Sequence, residues 1–247
     1  MAWLTKAICP NEAPKKLKIL TLNILHGGGK RTSEITRYIS NQHADVVVLT
    51  EFRDNKNAEL LRGQLRRDGM TWFAATSLAP KQNGVCIASR TEFNARTYPE
   101  LDSTNGHRVI SAHFPDVSVY GLYFPQKLAK SVLFDFLLHG PPSKDPAVLL
   151  VGDFNTGLHR IDEEGTTFHC TRQFETLSRT HYVDSWRSRN TNSKEFSWYS
   201  PKGNGFRIDH MFTTPKVDEQ ITRICYDQTP RLAKMTDHAA LMVECGI

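Results

Sequence analysis

The chain is punctuated by apolar runs of strand length, and several of them end in, or carry, an acid. Residues 46–50 (Val-Val-Val-Leu-Thr) form a continuous, largely β-branched run, the pattern of a strand covered on both faces, and the next residue is Glu51. Val148-Leu149-Leu150-Val151 leads through Gly152 into Asp153 and then Phe154-Asn155. Residues 206–213 carry Asp209-His210 among apolar neighbours, Thr236-Asp237-His238 directly precedes the run 239–244, and the alternating segment 16–23 ends in Asn23. A carboxylate is costly to remove from water unless it is paired or bound to a cation. One acid at a strand end is ordinary turn chemistry. Three acids with an Asn and a His in this context have a more economical explanation. The strand ends converge on one edge of a sandwich and share a divalent cation and a charged substrate.

Further strands read at residues 71–76, 84–89, 107–114, 117–123, 147–151 and 221–226. Helical periodicity interrupts them at 33–42 (Ile35 and Ile39 four apart), 58–68 (Leu61 and Leu65, with Gly69 closing the helix), 127–139 and, more weakly, 171–180. Many strands, few helices and no linker-like tract predict one α/β domain over residues 15–247, sheet packed on sheet with helices outside. Residues 1–14 read as a loose leader.

At 247 residues, 39% hydrophobic and 23% charged, the composition is that of an ordinary globular domain, not a disordered tail, a coiled coil or a fibre. No run approaches the ~18–20 apolar residues of a spanning helix, so no membrane association is expected. The five cysteines (Cys9, Cys86, Cys170, Cys225, Cys245) are scattered without a CxxC pair. With no signal-like apolar core at the N-terminus, they point to a reducing cytoplasm. The net charge of +5 permits a polyanionic partner without demanding one. Local clusters such as Arg62, Arg66 and Arg67 read equally as solvated faces or as phosphate-tracking surface. Nothing indicates a protein partner, and a monomer is expected.

The candidate ligands are carboxylates and an amide, hard oxygen donors that suit Mg²⁺, with Mn²⁺ able to substitute, rather than zinc. Magnesium typically takes one or two protein carboxylates together with substrate phosphate oxygens, which directs the reading to phosphate chemistry.

The segments Thr21-Leu22-Asn23, Leu49-Thr50-Glu51, Tyr123-Phe124-Pro125-Gln126, Gly152-Asp153-Phe154-Asn155, Arg207-Ile208-Asp209-His210 and Thr236-Asp237-His238 resemble, in order and separation, the endonuclease/exonuclease/phosphatase superfamily. Phe196-Ser197-Trp198-Tyr199-Ser200 followed by Gly205-Phe206-Arg207, and Gly165 to Cys170 followed by Tyr182-Val183-Asp184, are similar to exonuclease III-like AP endonucleases. The resemblance implies a four-layer α/β/β/α sandwich of two mixed β-sheets flanked by helices, in agreement with the strands and helices read above. It implies Glu51 as principal metal ligand with Asn23 beside it, and Asp237 near the metal or a second metal position. Asp153 would orient or deprotonate the attacking water, and Asn155 would bond the nucleophile or the phosphate. His238 would contact a non-bridging phosphate oxygen with Asp209 fixing its tautomer, and Tyr123 would hold the phosphate or assist the leaving group. Trp198, Phe206 and Ile208 would form an apolar pocket for a flipped abasic sugar, or else fill the core. Arg207 would track the DNA backbone or else solvate a loop, and Gln126 would reach a phosphate.

The sequence departs from the family pattern in three places. Leu25, followed by His26 and Gly27-Gly28-Gly29, occupies a position that is often small and polar or acidic. Gln126 stands where Asn is commoner, and His210 where an aromatic or apolar residue is frequent. His26 beside the glycines reads as a surface turn or as a phosphate contact, and His107 and His113 as structural. The expected activity is a Mg²⁺-dependent phosphodiesterase of DNA repair, an AP endonuclease and/or 3′–5′ exonuclease on duplex DNA with an abasic site or a 3′ end. Two alternatives stand beside it. One is a phosphatase or phosphodiesterase of lipid headgroups, inositol phosphates or small nucleotides. The other is a binding module that has lost its chemistry.

Overall fold

The computed structural model describes residues 16–76, 79, 81–101 and 104–246. The leader expected at 1–14 lies outside the described residues. One sheet holds β1 (Lys16–Asn23), β2 (Val46–Phe52), β3 (Trp72–Ala75), β4 (Gly84–Ser89), β13 (Ile221–Asp227) and β14 (Ala240–Gly246), in the order β13-β14-β1-β2-β4-β3. The other holds β5 (Asn94–Thr97), β6 (Val109–His113), β7 (Ser118–Tyr123), β8 (Val148–Asp153), β9 (Val183–Asp184) and β12 (Asp209–Thr213), in the order β5-β6-β7-β8-β12-β9. A small ribbon pairs β10 (Trp198–Tyr199) with β11 (Gly205–Phe206). The longer helices are α1 (Thr32–Gln42), α2 (Lys56–Arg67), α3 (Ser131–His139) and α4 (Thr171–Thr180).

Three apolar cores separate four layers. Val46 and Val48 of β2 point between the sheets, where they pack with Val85, Ile110, Val151 and Met211. Val47 and Leu49, alternating with them, face outward against Ile35 and Ile39 of α1 and Leu61 and Leu65 of α2. This double coverage is why the run 46–50 is continuously apolar. On the other outer face, Leu122, Leu150 and Phe212 meet Phe134 and Leu137 of α3 and Phe174 and Leu177 of α4. The chain is therefore an α/β/β/α sandwich of two mixed sheets. Among the described residues no helix is long and apolar enough to cross a membrane.

Topology decides where the polar strand ends go. β1 and β2 are parallel, as are β7 and β8; the other pairings are antiparallel. Each parallel pair is joined over a helix, so its two carboxyl ends emerge on the same side. The antiparallel neighbours β14 and β12 begin where those ends stop. Asn23 thus pairs with Thr50, next to Glu51, and Tyr123 pairs with Asp153.

Three expected elements are interrupted, each for a local reason. The strand read at 206–213 breaks after Phe206, because Arg207 and Ile208 turn inward between the ribbon and β12. The strand at 107–114 opens with a 3₁₀ turn, Gly106–Arg108, and the helix at 127–139 opens with another, Lys127–Lys130. β5 went unread because all four of its residues are exposed and none supplies an apolar alternation.

Gly152 shows how tightly the site is built. Its φ is 140°, and a Cβ there would stand 2.0 Å from the Leu122 carbonyl oxygen of β7. Gly152→Ala is expected to lower stability by well over ~1 kcal/mol, because a forbidden backbone angle adds to the clash. A thermal or urea melt checks this; an unchanged midpoint contradicts it.

Candidate active site

Asp153 at the end of β8 and Asp209 at the start of β12 face each other directly across the antiparallel ladder, each only 2% exposed. His238, which precedes β14, brings its Nδ1 to 2.7 Å from Asp209 Oδ2. The ligand atoms of Asp153, Asp209 and His238 all lie within 4.8 Å of one another. Burial, and then the Asp209 charge, push the Asp153 carboxyl up to about 7. Burial alone would lower the His238 imidazole, but the Asp209 carboxylate outweighs it and holds the ring at about 10. With Nδ1 committed to Asp209, Nε2 is left 4.0 Å from Asp237 Oδ1.

Asn23 joins this group to the opposite sheet. Its Nδ2 donates to Asp153 Oδ2 at 3.0 Å and to Glu51 Oε1 at 3.3 Å, while its Oδ1 accepts from the Leu25 N–H at 2.9 Å. Glu51 and Asp153 are therefore neighbours through one nitrogen. Glu51 adopts φ 53° beside a register shift between Thr50 and Phe52, a bulge that re-aims its side chain. Its Oε2 is held by the His26 N–H at 2.8 Å and by Asn83 Nδ2 at 3.1 Å, and Arg53 Nε donates to Asn83 Oδ1 at 2.6 Å. Tyr123 donates to Glu51 Oε1 at 3.4 Å; burial and then the Glu51 charge push its hydroxyl up to about 12, so the phenol stays neutral. Asn155 is also left-handed (φ 52°), with its N–H on Asp153 Oδ1 at 2.8 Å, its Nδ2 on the Phe124 carbonyl, and its Oδ1 accepting from Gln126 Nε2.

These groups open into a pocket of about 440 Å³. Glu51, Asp153, Asp237 and His238 line it, and Trp198, Phe206, Ile208 and Phe168 supply aromatic and apolar surface. Trp198 and Phe168 each pack on Phe206 with ring centroids 5.6 Å apart, and Trp198 Nε1 donates to Asp237 Oδ2 at 2.9 Å. Gln126, Asn155, Lys127, Lys130 and His169 belong to the same lining.

Arg207 corrects the sequence reading. It is fully buried, bonded through Nε to Asp162 Oδ1 at 2.7 Å and through Nη2 to Asp184 Oδ2 at 2.6 Å, and it stacks on Trp186. Arg187 bonds the same Asp162 oxygen at 2.7 Å. A guanidinium so committed cannot reach a substrate; it anchors the chain leading to Ile208 and Asp209. His210 is likewise a core residue, its Nε2 2.8 Å from the Thr156 carbonyl, with burial and then Arg207 lowering it to about 4. The sequence reading passed over Asn83, Lys130 and Ser197, whose Oγ accepts the N–H groups of Ile208 and Asp209. No motif marks Asn83 or Lys130: Asn83 sits in a loop, and Lys130 is hidden inside a helical periodicity, whereas Ser197 lies within the segment 196–200 but the resemblance gives it no role there.

The donor set fits a hard divalent cation. Asp153, Asp209 and Glu51 crowd around a single neutral amide and one imidazole, and no cysteine among the described residues lines the pocket. A small oxygen-seeking dication would relieve that repulsion.

A family model described as endonuclease/exonuclease/phosphatase family matches residues 20–238, and the chain belongs to that family. No curated protein matches it in sequence. Among solved structures, the 3′ phosphatase NExo from Neisseria bound to product DNA hairpin is similar at 22% identity and a TM-score of 0.80, over 93% of this chain and 99% of that one. An AP endonuclease from Archaeoglobus fulgidus is similar at 21% identity and a TM-score of 0.79 (94% of this chain, 100% of that one). The 3′–5′ exonuclease NExo from Neisseria meningitidis is similar at 22% identity and a TM-score of 0.80, over 94% and 100%.

The buried ion network yields a pH prediction. Burial disfavours the Asp162 charge, but Arg207 outweighs burial and holds the carboxyl at about 2, below its ordinary 3.8. Its contribution to stability is therefore present above about 3.8 and lost as pH falls through about 2. Asp162→Asn should flatten the acid-unfolding curve in that window. Arg207→Met should cost about 3–5 kcal/mol, since it strands two buried carboxylates.

Proposed function

We propose that this chain is a Mg²⁺-dependent phosphodiesterase acting on DNA, an AP endonuclease and/or 3′–5′ exonuclease. The observation that carries the reading is the union of the Asp153–Asp209–His238 cluster with Glu51 at the mouth of an aromatic-walled pocket. The structural neighbours are a 3′ phosphatase bound to product DNA hairpin, an AP endonuclease and a 3′–5′ exonuclease, which favours DNA over lipid or inositol phosphates. Duplex DNA with an abasic site or a 3′ end is the substrate we favour, handled by a monomer. The free thiols of Cys86, Cys170, Cys225 and Cys245 support a reducing, cytoplasmic location.

A phosphodiester is already anionic, so the residues must aim a nucleophile in line while neutralising growing charge. Glu51 would hold the cation, with Asn23 beside it and Asp237 lining the same pocket. When bound, the cation supplies Lewis-acid polarisation of the phosphoryl group and lowers the pKa of a coordinated water. Asp153, oriented by the Asn155 N–H, accepts the proton of the attacking water. His238, kept as imidazolium by Asp209, donates from Nε2 to a non-bridging oxygen. Tyr123 donates as a neutral phenol. Trp198, Phe206 and Ile208 receive the displaced sugar.

Pure protein should incise abasic duplex DNA with Mg²⁺ or Mn²⁺ and lose this with EDTA; cleavage of a generic phosphatase substrate but no DNA rejects the reading. Asp153→Asn and His238→Ala should each lower kcat/KM by about 10²–10⁴-fold. The ionised form of Asp153 is the base, so kcat/KM should rise with pH as that carboxyl loses its proton, with a midpoint below about 7 because a cation bound nearby favours the ionised form. The same carboxyl limits stability. Its folded value lies above the ordinary 3.8, so its contribution is fully present below pH 3.8 and lost as pH rises through about 7. Without metal, Asp153→Asn should therefore melt at a higher temperature than the parent at pH 8; a lower melting point contradicts the argument.

A further inference from the structure

The pocket carries both signs of charge. Its lining includes the acids Glu51, Asp153 and Asp237 with His238, and also Lys127, Lys130 and the imidazole of His169. Lys127 and Lys130 are the ends of the 3₁₀ turn Lys127–Lys130, and both line the pocket. Lys127 is exposed and left-handed (φ 56°), whereas Lys130 is 1% exposed.

A buried lysine is ordinarily paired with a carboxylate. Lys130 is not: its Nζ donates to the Asn155 carbonyl, and among the described residues it forms no ion pair. Burial lowers the ammonium to about 8 against the opposing pull of the Asp153 charge, which leaves it a cation at neutral pH. The fold thus keeps a desolvated positive charge, without a direct carboxylate partner among the described residues, beside the pocket. A carbonyl oxygen satisfies one N–H but does not neutralise the charge; an anion entering the pocket does.

We propose that Lys127 and Lys130 form a second phosphate subsite, separate from the one beside Asp153 and His238. It binds a phosphate adjoining the scissile one on the same strand. This rests on the DNA phosphodiesterase reading and narrows it: the preferred substrate carries at least two neighbouring phosphates, and an isolated phosphomonoester leaves Lys130 without a direct anionic partner.

The test is a thermodynamic cycle between protein and substrate charge. Abasic duplexes are made with a single uncharged methylphosphonate at each position flanking the scissile phosphate. They are cleaved by the parent, by Lys127→Ala and by Lys130→Gln, whose amide still offers an N–H to the Asn155 carbonyl. In the parent, neutralising one flanking phosphate should lower kcat/KM about tenfold or more, the scale of one charge-assisted hydrogen bond. In Lys130→Gln the all-phosphate substrate should already show that loss, and the methylphosphonate should add little. The slope of log(kcat/KM) against log salt should fall by about one per lysine removed. Lys127→Ala alters an exposed side chain, so it keeps the test open should Lys130→Gln fold poorly. Losses that simply multiply, or a parent indifferent to every flanking methylphosphonate, overturn the second subsite while DNA cleavage stands. A protein that cleaves no DNA removes the underlying function, and the subsite with it.

Discussion

Two carboxylates, Asp153 and Asp209, are held opposite one another in a nearly dry strand ladder, and the rest of the site answers their repulsion. Like charges directly across a ladder destabilise it, and burial enlarges the cost. The fold answers by unequal partnering. Asp209 receives the His238 imidazole, while Asp153 receives only amide donors, from Asn23 and from the Asn155 backbone. Asp153 is thereby raised in proton affinity beside a charged His238, and one site hosts both a base and a charge stabiliser. Asp153 is left able to accept a proton near neutrality, and His238 is left charged.

Holding that arrangement takes rigid structure around it. The two parallel strand pairs deliver Asn23, Glu51, Tyr123 and Asp153 to a single edge. Glu51 and Asn155 are kept in left-handed backbone, a conformation that persists only where neighbours over-determine it. For Glu51 those neighbours are His26 and Asn83; for Asn155 they are Phe124, Gln126 and Lys130. Beneath Asp209, the Arg207–Asp162–Asp184 network and Ser197 pin the chain that carries it. Stability is spent at the pocket and recovered in the three apolar layers, as active sites generally require.

The glycine-rich turn after Asn23 takes on a role in this light. Where the family pattern offers a small polar or acidic residue, this chain has Leu25, and the turn that follows brings the His26 backbone N–H onto Glu51 Oε2 instead. Arg53, packed within 3.0 Å of where a Cβ on Gly27 would stand, steadies Asn83 against the same oxygen. A backbone donor and a loop amide thus orient the carboxylate from the side opposite Asn23.

The layered architecture was legible in the residues because burial on both faces leaves a local trace. Val46 to Leu49 can be continuously apolar only if both faces are covered, and the repeat of Ile35 and Ile39 can serve only one helix face. Asp153, Asp209, Glu51 and His238 stood out for the same reason, as charge set against apolar strands. What stood beside them had no such trace. The sequence offered Arg207 to the DNA backbone or to solvent because an arginine is usually hydrated; whether it is paired depends on Asp162 and Asp184, 45 and 23 residues away. Asn83 and Lys130 are ordinary residues until β4 and the 3₁₀ turn bring them to Glu51 and Asn155. Periodicity and local chemistry determined which elements form and which side chains resist burial. Tertiary structure alone decided which charges meet, because electrostatic pairing depends on distance through space and the sequence records only distance along the chain.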